Sequence, residues 1–278
     1  MFDRVAIVGV GLIGGSIGLA IKRRGLARLV MGVVRRRSTL AKALRHRALH
    51  AATMSLKEGV RGADLVILSA PVSTILQQIK TLKPFLSPNA VVIDVASSKT
   101  LIDLAARKYL KGVRFTGCHP MAGSAKTGIL NADADLFEDA VCFMTNTDAK
   151  VKTFWNTLGS RVQYLTPEEH DDWAARVSHL PHILAFALFQ SGGAQKLTNL
   201  GITASNPSIQ DLARLSKSDP KLWADILVTN QKEILRALVD HERGIAVLKR
   251  ALSIRNFGVI EKFIKRSNAV SHRLCPGK

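Results

Sequence analysis

Close to the start of the chain, the apolar run Val5-Ala6-Ile7-Val8 gives way to three glycines, Gly9, Gly11 and Gly14, spaced G-x-G-x-x-G. The run is short and rich in β-branched residues, so it reads as a buried strand. Ser16 to Arg24, closed by Gly25, reads as a helix. Few folds place this spacing between a strand and a helix. Gly9 permits a tight turn, Gly11 lets a pyrophosphate approach the backbone, and Gly14 lets the helix lie against the strand. Free N–H groups at the helix start suit phosphate oxygens. Gly9, Gly11, Leu12, Ile13 and Gly14 are therefore candidate contacts of a dinucleotide.

The pattern continues as alternating strands and helices. Strands are expected at 29–34, 64–70, 90–95, 114–117, 141–145 and 161–165, and helices at 38–49, 73–82, 100–110 and 149–158. Such alternation predicts an α/β domain, a Rossmann-type doubly wound, mostly parallel sheet with helices on both faces. At Thr166-Pro167-Glu168-Glu169 the pattern changes to that of a helix start, with Thr as cap, Pro in the first turn and Glu three residues after the cap. Only helical periodicity follows. The expected organisation is a dinucleotide-binding domain over 1–166 and an all-helical substrate and dimerisation domain over 167–278.

A chain of 278 residues that is 47% hydrophobic can bury a full core. No apolar stretch approaches about 18 residues without a charge, so no membrane span is expected. The first strand starts almost at once, leaving no room for a targeting peptide. Cys118, Cys142 and Cys275 lack metal-ligand spacing, which fits a reducing cytoplasm and no metal site. Forty Lys+Arg against 21 Asp+Glu give a net charge of +19, clustered near 22–28, 35–47 and 249–273. No aromatic residues interleave with these clusters as a stacking platform for nucleic acid would require. The charge reads as a solvated basic surface, with an anionic small ligand or nucleic acid as the sharper alternatives and nucleic acid disfavoured as the function.

Beyond the glycine loop, the second strand ends Gly32-Val33-Val34-Arg35-Arg36-Arg37-Ser38. An Asp or Glu that binds the ribose diol of NAD commonly stands about 20 residues past the glycines. Val34 cannot do so, whereas Arg35, Arg36 and Ser38 offer charge and donors to a 2′-phosphate, so NADP is expected over NAD. The strand ends at Ser69-Ala70-Pro71 and Asp94-Val95-Ala96-Ser97-Ser98-Lys99 present small and hydroxyl residues where ligands of open sheets bind. His119 stands in the Gly/Pro-bracketed loop Gly117-Cys118-His119-Pro120-Met121-Ala122-Gly123, where a rigidly held imidazole can take a proton near neutral pH. On the first helix past 166, Asp171, Ser178 and His182 are spaced to share one face, with His179 turned about 100° away and Pro181 expected to kink the helix. Arg214, before a loop and a new helix, has the planar fork suited to a carboxylate.

Together these segments resemble the prephenate/arogenate dehydrogenases of tyrosine biosynthesis. The resemblance rests on the Gly9–Ser16 loop, Asp94–Lys99, His119-Pro120-Met121-Ala122-Gly123, His170-Asp171, Ser178–His182 and Asp211–Trp223 through Asn230, in order along nearly the whole chain. It implies oxidative decarboxylation of a cyclohexadienol that bears a ring carboxylate. In that case His119 accepts the hydroxyl proton and Ser97 hydrogen-bonds the same hydroxyl and helps orient His119. Arg214 holds the ring carboxylate, Ser178, His179 and His182 contact the substrate, and Ala70 and Pro71 border the cofactor. The resemblance further implies a homodimer through the helical domain. Ala96, Ser98 and Ala125 depart from the commoner Gly, Val and Glu of the family. The run Asp-Val-Ala-Ser, the basic end of the second strand and Ala125 look most like the NADP-dependent, arogenate-preferring branch, while His182 resembles other branches. The alternatives are a β-hydroxyacid dehydrogenase type, which would need a catalytic Lys in the helical domain, and a non-catalytic NADP-sensing or nucleic-acid-binding protein.

Overall fold

The computed structural model describes residues 2–123, 127–199 and 207–274. In chain order the first part comprises β1 (Phe2–Val8), α1 (Leu12–Arg23), β2 (Ala27–Val33), α2 (Arg37–Arg45), β3 (Ala51–Thr53), α3 (Leu56–Val60), β4 (Leu65–Leu68), α4 (Val72–Leu82), β5 (Val91–Asp94), α5 (Thr100–Tyr109), β6 (Arg114–Pro120), β7 (Val141–Met144), α6 (Ala149–Thr157) and β8 (Arg161–Tyr164). Every later described element is a helix: α7 (Pro167–Ala174), a π turn (Ala175–His179), α8 (Leu180–Gln190), α9 (Gly192–Asn199), α10 (Pro207–Ser216), α11 (Pro220–Thr229), α12 (Gln231–Ser253) and α13 (Phe257–Leu274). The chain divides into two compact units, Met1–Gln231 and Lys232–Lys278. The second unit consists of α12 and α13 beyond Gln231 and the residues joining and following them.

The eight strands form one sheet in the order β3-β2-β1-β4-β5-β6-β7-β8, parallel throughout except for the β6–β7 pair. Both faces are covered, which is why the central strands are continuous apolar runs rather than alternating ones. Val5 and Ile7 of β1 pack on one face with Ile17 and Ile21 of α1. Ala6 and Val8 pack on the other with Ile75 and Ile79 of α4. Strand order reverses between β1 and β4, so a crevice opens beyond their carboxyl ends, where the glycine loop and Ser69-Ala70-Pro71 lie.

Four expectations change. The first helix begins at Leu12 rather than Ser16, so Gly14 lies inside it. β3 and α3 fill a stretch where no element is expected; three- and five-residue elements are too short to show a period. β6 continues to Pro120 because β7 pairs antiparallel with its last residues, setting His119 opposite Phe143. His119 is thus on a strand, held by its pairing, and not in a loop. Finally, the irregularity expected at Pro181 takes the form of a π turn over Ala175–His179, immediately before it, with Pro181 itself in the first turn of α8.

Candidate active site at the carboxyl edge of the sheet

The crevice is shaped by backbone that tolerates no side chain. Gly9 has φ +100°, and a Cβ there would sit 2.2 Å from the Ser69 carbonyl oxygen. A Cβ on Gly14 would sit 2.1 Å from the Gly9 carbonyl oxygen. At Gly11 the reverse holds: a Cβ would meet nothing within 4 Å, and α1 starts beside it without a side-chain cap. Open space against uncapped N–H groups is what a pyrophosphate requires, so the residues present fit a dinucleotide.

Two cavities share Gly11, Ser69, Ala70 and Pro71 and form one cleft. One, of about 550 Å³, runs over the end of β2, where Val34, Arg35, Arg36 and Thr39 line it. Val34 is buried and carries no acid, while Arg35 and Arg36 are exposed. Gln78 also lines this cavity, and its Oε1 is buried without a partner. Ser38 is exposed in the first turn of α2, which likewise lacks a side-chain cap, and is not part of the lining. The other cavity, of about 420 Å³, reaches from Leu12 and Ile13 to Ser97, Ala122 and Asp225.

Behind Ser97 lies a buried polar cluster. Lys99 is 1% exposed; its Nζ pairs with Asp94 and donates to the Cys118 carbonyl at 2.7 Å. Asp171 of α7 accepts the backbone N–H of Lys99 at 2.7 Å and of Thr100 at 2.8 Å, fastening α7 to the start of α5. His170 Nδ1 is 2.9 Å from Asp171 Oδ1, and His170 Nε2 is 2.8 Å from His119 Nδ1. The ring that orients His119 is thus His170, while Ser97 lines the cavity. Burial pushes the His119 imidazole well below its ordinary value, and the charges of His170 and Lys99 add to the effect. His119 is consequently a neutral ring near pH 7.

The π turn decides which residues of the next helix join this cluster. It takes up one residue more than an α-helical turn, so the residue eight beyond Asp171, not seven, returns to its face. His179 is accordingly buried, with Asn230 Nδ2 donating to the Asp171 carbonyl at 2.8 Å and lying 3.2 Å from His179 Nδ1. The expectation that Ser178 shares the Asp171 face, with His179 turned away, is corrected on this ground. Ser178 contributes its carbonyl, which accepts from His182 Nδ1 at 2.9 Å. His182 stacks on Trp223, and burial together with the nearby charge of Arg214 lowers its pKa, against an opposing hydrogen bond to Ser178. Arg214 is exposed in the last turn of α10.

The cleft edge therefore brings together Ser97 and the glycine loop. The buried cluster joins His119 to His170, Asp171 and His179, and His182 gathers with Trp223 and Arg214. Sequence reasoning quoted His170, Asn230, Trp223 and the run Asp94–Lys99 but gave them no role, and it placed Asp171 only on a face with Ser178 and His182; the buried Lys99–Asp94 pair and the stacking of Trp223 on His182 were not foreseen. The one available signal was an adjacent His-Asp at a helix start. Ala125 lies outside the described residues.

The family model described as "Prephenate dehydrogenase, nucleotide-binding domain" matches residues 17–166, and "Prephenate dehydrogenase, dimerization domain" matches 166–266. The prephenate dehydrogenase of Lactococcus lactis subsp. cremoris (strain MG1363) is 30% identical over 271 residues, 96% of this chain and 76% of that protein. Among solved structures, prephenate dehydrogenase from A. aeolicus in complex with hydroxyphenyl propionate and NAD+ matches with a TM-score of 0.85 and 29% identity, over 99% of each chain. Synechocystis arogenate dehydrogenase matches with a TM-score of 0.80 and 29% identity, over 98% of this chain and 99% of that one.

Proposed function

The chain belongs to the prephenate dehydrogenase family, a family of oxidoreductases, and we propose that it catalyses the NADP-dependent oxidative decarboxylation of arogenate to tyrosine, of prephenate to 4-hydroxyphenylpyruvate, or of both. The observation that carries this reading is His119, a neutral imidazole oriented by His170 at the carboxyl edge of a sheet whose glycine loop fits a dinucleotide. When bound, the nicotinamide supplies the hydride acceptor. His119 takes the proton of the ring hydroxyl as hydride leaves the same carbon. The bond from the ring to its carboxylate then breaks, carbon dioxide departs, and the electron pair enters the ring, which becomes aromatic. The oxygen then recovers its proton from His119. Ser97 hydrogen-bonds the reacting hydroxyl, Arg214 pairs with the ring carboxylate, and Ser178, His179 and His182 bound the substrate pocket.

The NADP preference is supported by Val34 in place of an acid and by Arg35 and Arg36 on the cavity wall. We take residues 1–166 as the dinucleotide-binding domain and 167–278 as the domain that forms a homodimer. In support of the dimer, α12 and α13 leave large apolar side chains exposed, Phe257 at 76% and Leu274 at 65%. A cytoplasmic location is supported by the free thiols of Cys118 and Cys142. No helix among the described residues is long and apolar enough to cross a membrane.

The test is reduced-cofactor formation with arogenate and prephenate separately, each with NADP+ and NAD+. Turnover of at least one substrate with NADP+ clearly preferred is the expected result. No turnover of either defeats the activity, and equal efficiency with NAD+ defeats the cofactor preference.

A further inference from the structure

A histidine acts as a base only through a ring nitrogen that carries a lone pair, and in a neutral ring that is the nitrogen opposite the proton. For His119 the choice is made some 50 residues away in sequence, at His170 and Asp171. Burial alone would raise the Asp171 carboxyl, but hydrogen bonds from His170 and Thr100 outweigh it and hold the group below its usual range. Asp171 is thus an ionised acceptor with no proton to give. Its oxygens already accept the Lys99 and Thr100 amides. His170 Nδ1, 2.9 Å from Asp171 Oδ1, must therefore be the protonated nitrogen. Burial keeps that ring neutral, so His170 Nε2 is bare and can only accept. His119 Nδ1, 2.8 Å away, must then be the donor.

We propose that His170 and Asp171 are positioning residues that lock His119 in its Nδ1–H tautomer and so make Nε2 the atom that receives the substrate proton. This rests on the reading of His119 as the base. The groups around the pair are accounted for. Lys99 at the start of α5 is engaged by Asp94 of β5 and the Cys118 carbonyl of β6. His179 of the π turn is engaged by Asn230. Cys142 of β7 has its thiol pushed well up by burial, and Cys118 reinforces the shift, so it stays a neutral group. None of these competes for His119 Nδ1.

Two substitutions at His170 separate tautomer control from simple packing. The amide of His170→Gln can accept from His119 Nδ1–H and donate to Asp171, whereas His170→Leu can do neither. The measurements are ring nitrogen shifts of the ¹⁵N-labelled full-length protein, with kcat and KM in parallel. In the unmodified protein and in His170→Gln, His119 should show a protonated Nδ1 and a bare Nε2. In His170→Leu the proton should redistribute to Nε2, with kcat falling about 10–100-fold, the usual cost of losing an orienting partner, and KM little changed. His170→Gln should recover most of that loss. A protonated Nε2 in the unmodified protein overturns the proposal, and that spectrum decides the matter even if His170→Leu does not fold. Full turnover by a folded His170→Leu overturns it as well. The expected tautomer in a protein that turns over neither substrate leaves the lock standing and removes the role of His119 as base.

Discussion

The imidazole of His182 lies flat against the indole of Trp223, with ring centroids 3.8 Å apart and planes 24° from parallel. Its Nδ1 is committed to the Ser178 carbonyl, so the stack and this hydrogen bond together fix the ring of a half-buried side chain beside Arg214. A ring pair of this kind is worth about 0.5–1.5 kcal/mol, or roughly a factor of 2–10 in an equilibrium constant. Trp223→Ala is expected to raise KM by that factor with kcat nearly unchanged, and Trp223→Phe to restore most of it. Steady-state kinetics with the preferred substrate decide; an unchanged KM would detach His182 from substrate binding.

The pH dependence of turnover follows from the environment of His119. Burial and the neighbouring charges set its pKa well below 6.5. A base is lost on protonation, so activity should fall as pH drops through that lowered value and should hold steady from pH 6.5 to 7.5. His119→Asn should bind cofactor normally, lose about 10²–10⁴ in turnover and show no acidic limb from this group. A limb centred at or above 6.5 in the unmodified enzyme would point to a different, more exposed base.

Cofactor choice is read at the end of β2. Val34 is buried against the cavity that Arg35 and Arg36 line. Val34→Asp combined with Arg35→Gln supplies a diol acceptor and withdraws a positive charge. The ratio of kcat/KM for NADP+ to that for NAD+ should drop by roughly 10–100-fold, the value of a charged hydrogen bond gained or lost. A ratio that stays put would place the 2′-phosphate elsewhere.

Buried histidines should also make the fold acid-sensitive. Burial lowers the His179 pKa from 6.5 to about 4. Between those values the unfolded ring binds a proton that the folded ring refuses, so the unfolded state gains as pH falls. Stability is unaffected above pH 6.5, declines from 6.5 toward 4, and loses about 3 kcal/mol in all from this residue. Urea midpoints at pH 7, 5.5 and 4.5 should decline less steeply in His179→Gln than in the unmodified protein. Parallel declines would mean that His179 is already protonated or solvated in the fold.

Much of the architecture was legible because it is written locally. Val5 to Val8 and Asp64 to Ala70 read as strands because β-branched and apolar runs buried on both faces have no other use in an α/β chain. Thr166-Pro167-Glu168-Glu169 read as a helix start, and the capping box is formed as expected, with Thr166 Oγ1 accepting from the Glu169 amide. The short β3 and α3 escaped because neither spans a full repeat. The placement of His119 in a loop failed because Pro120 and Gly123 signal a turn locally, and only pairing with β7 keeps the backbone extended.

The amino-acid sequence by itself determined seven of the eight strands, the glycine loop with its need for bare backbone at Gly9 and Gly14, and the switch to helices at Thr166. Those features follow from side-chain period and backbone sterics, which act over a few residues. Tertiary structure alone decided which groups meet. It brought His170 and Asp171 to His119 and to the start of α5, moved His179 rather than Ser178 onto the Asp171 face through a π turn, and set Trp223 against His182. Such meetings depend on strand register, helix rotation and the angle at which α7 and α11 dock. A single residue of slip turns a side chain by about 100° on a helix, or to the opposite face of a strand, so no local pattern can encode them.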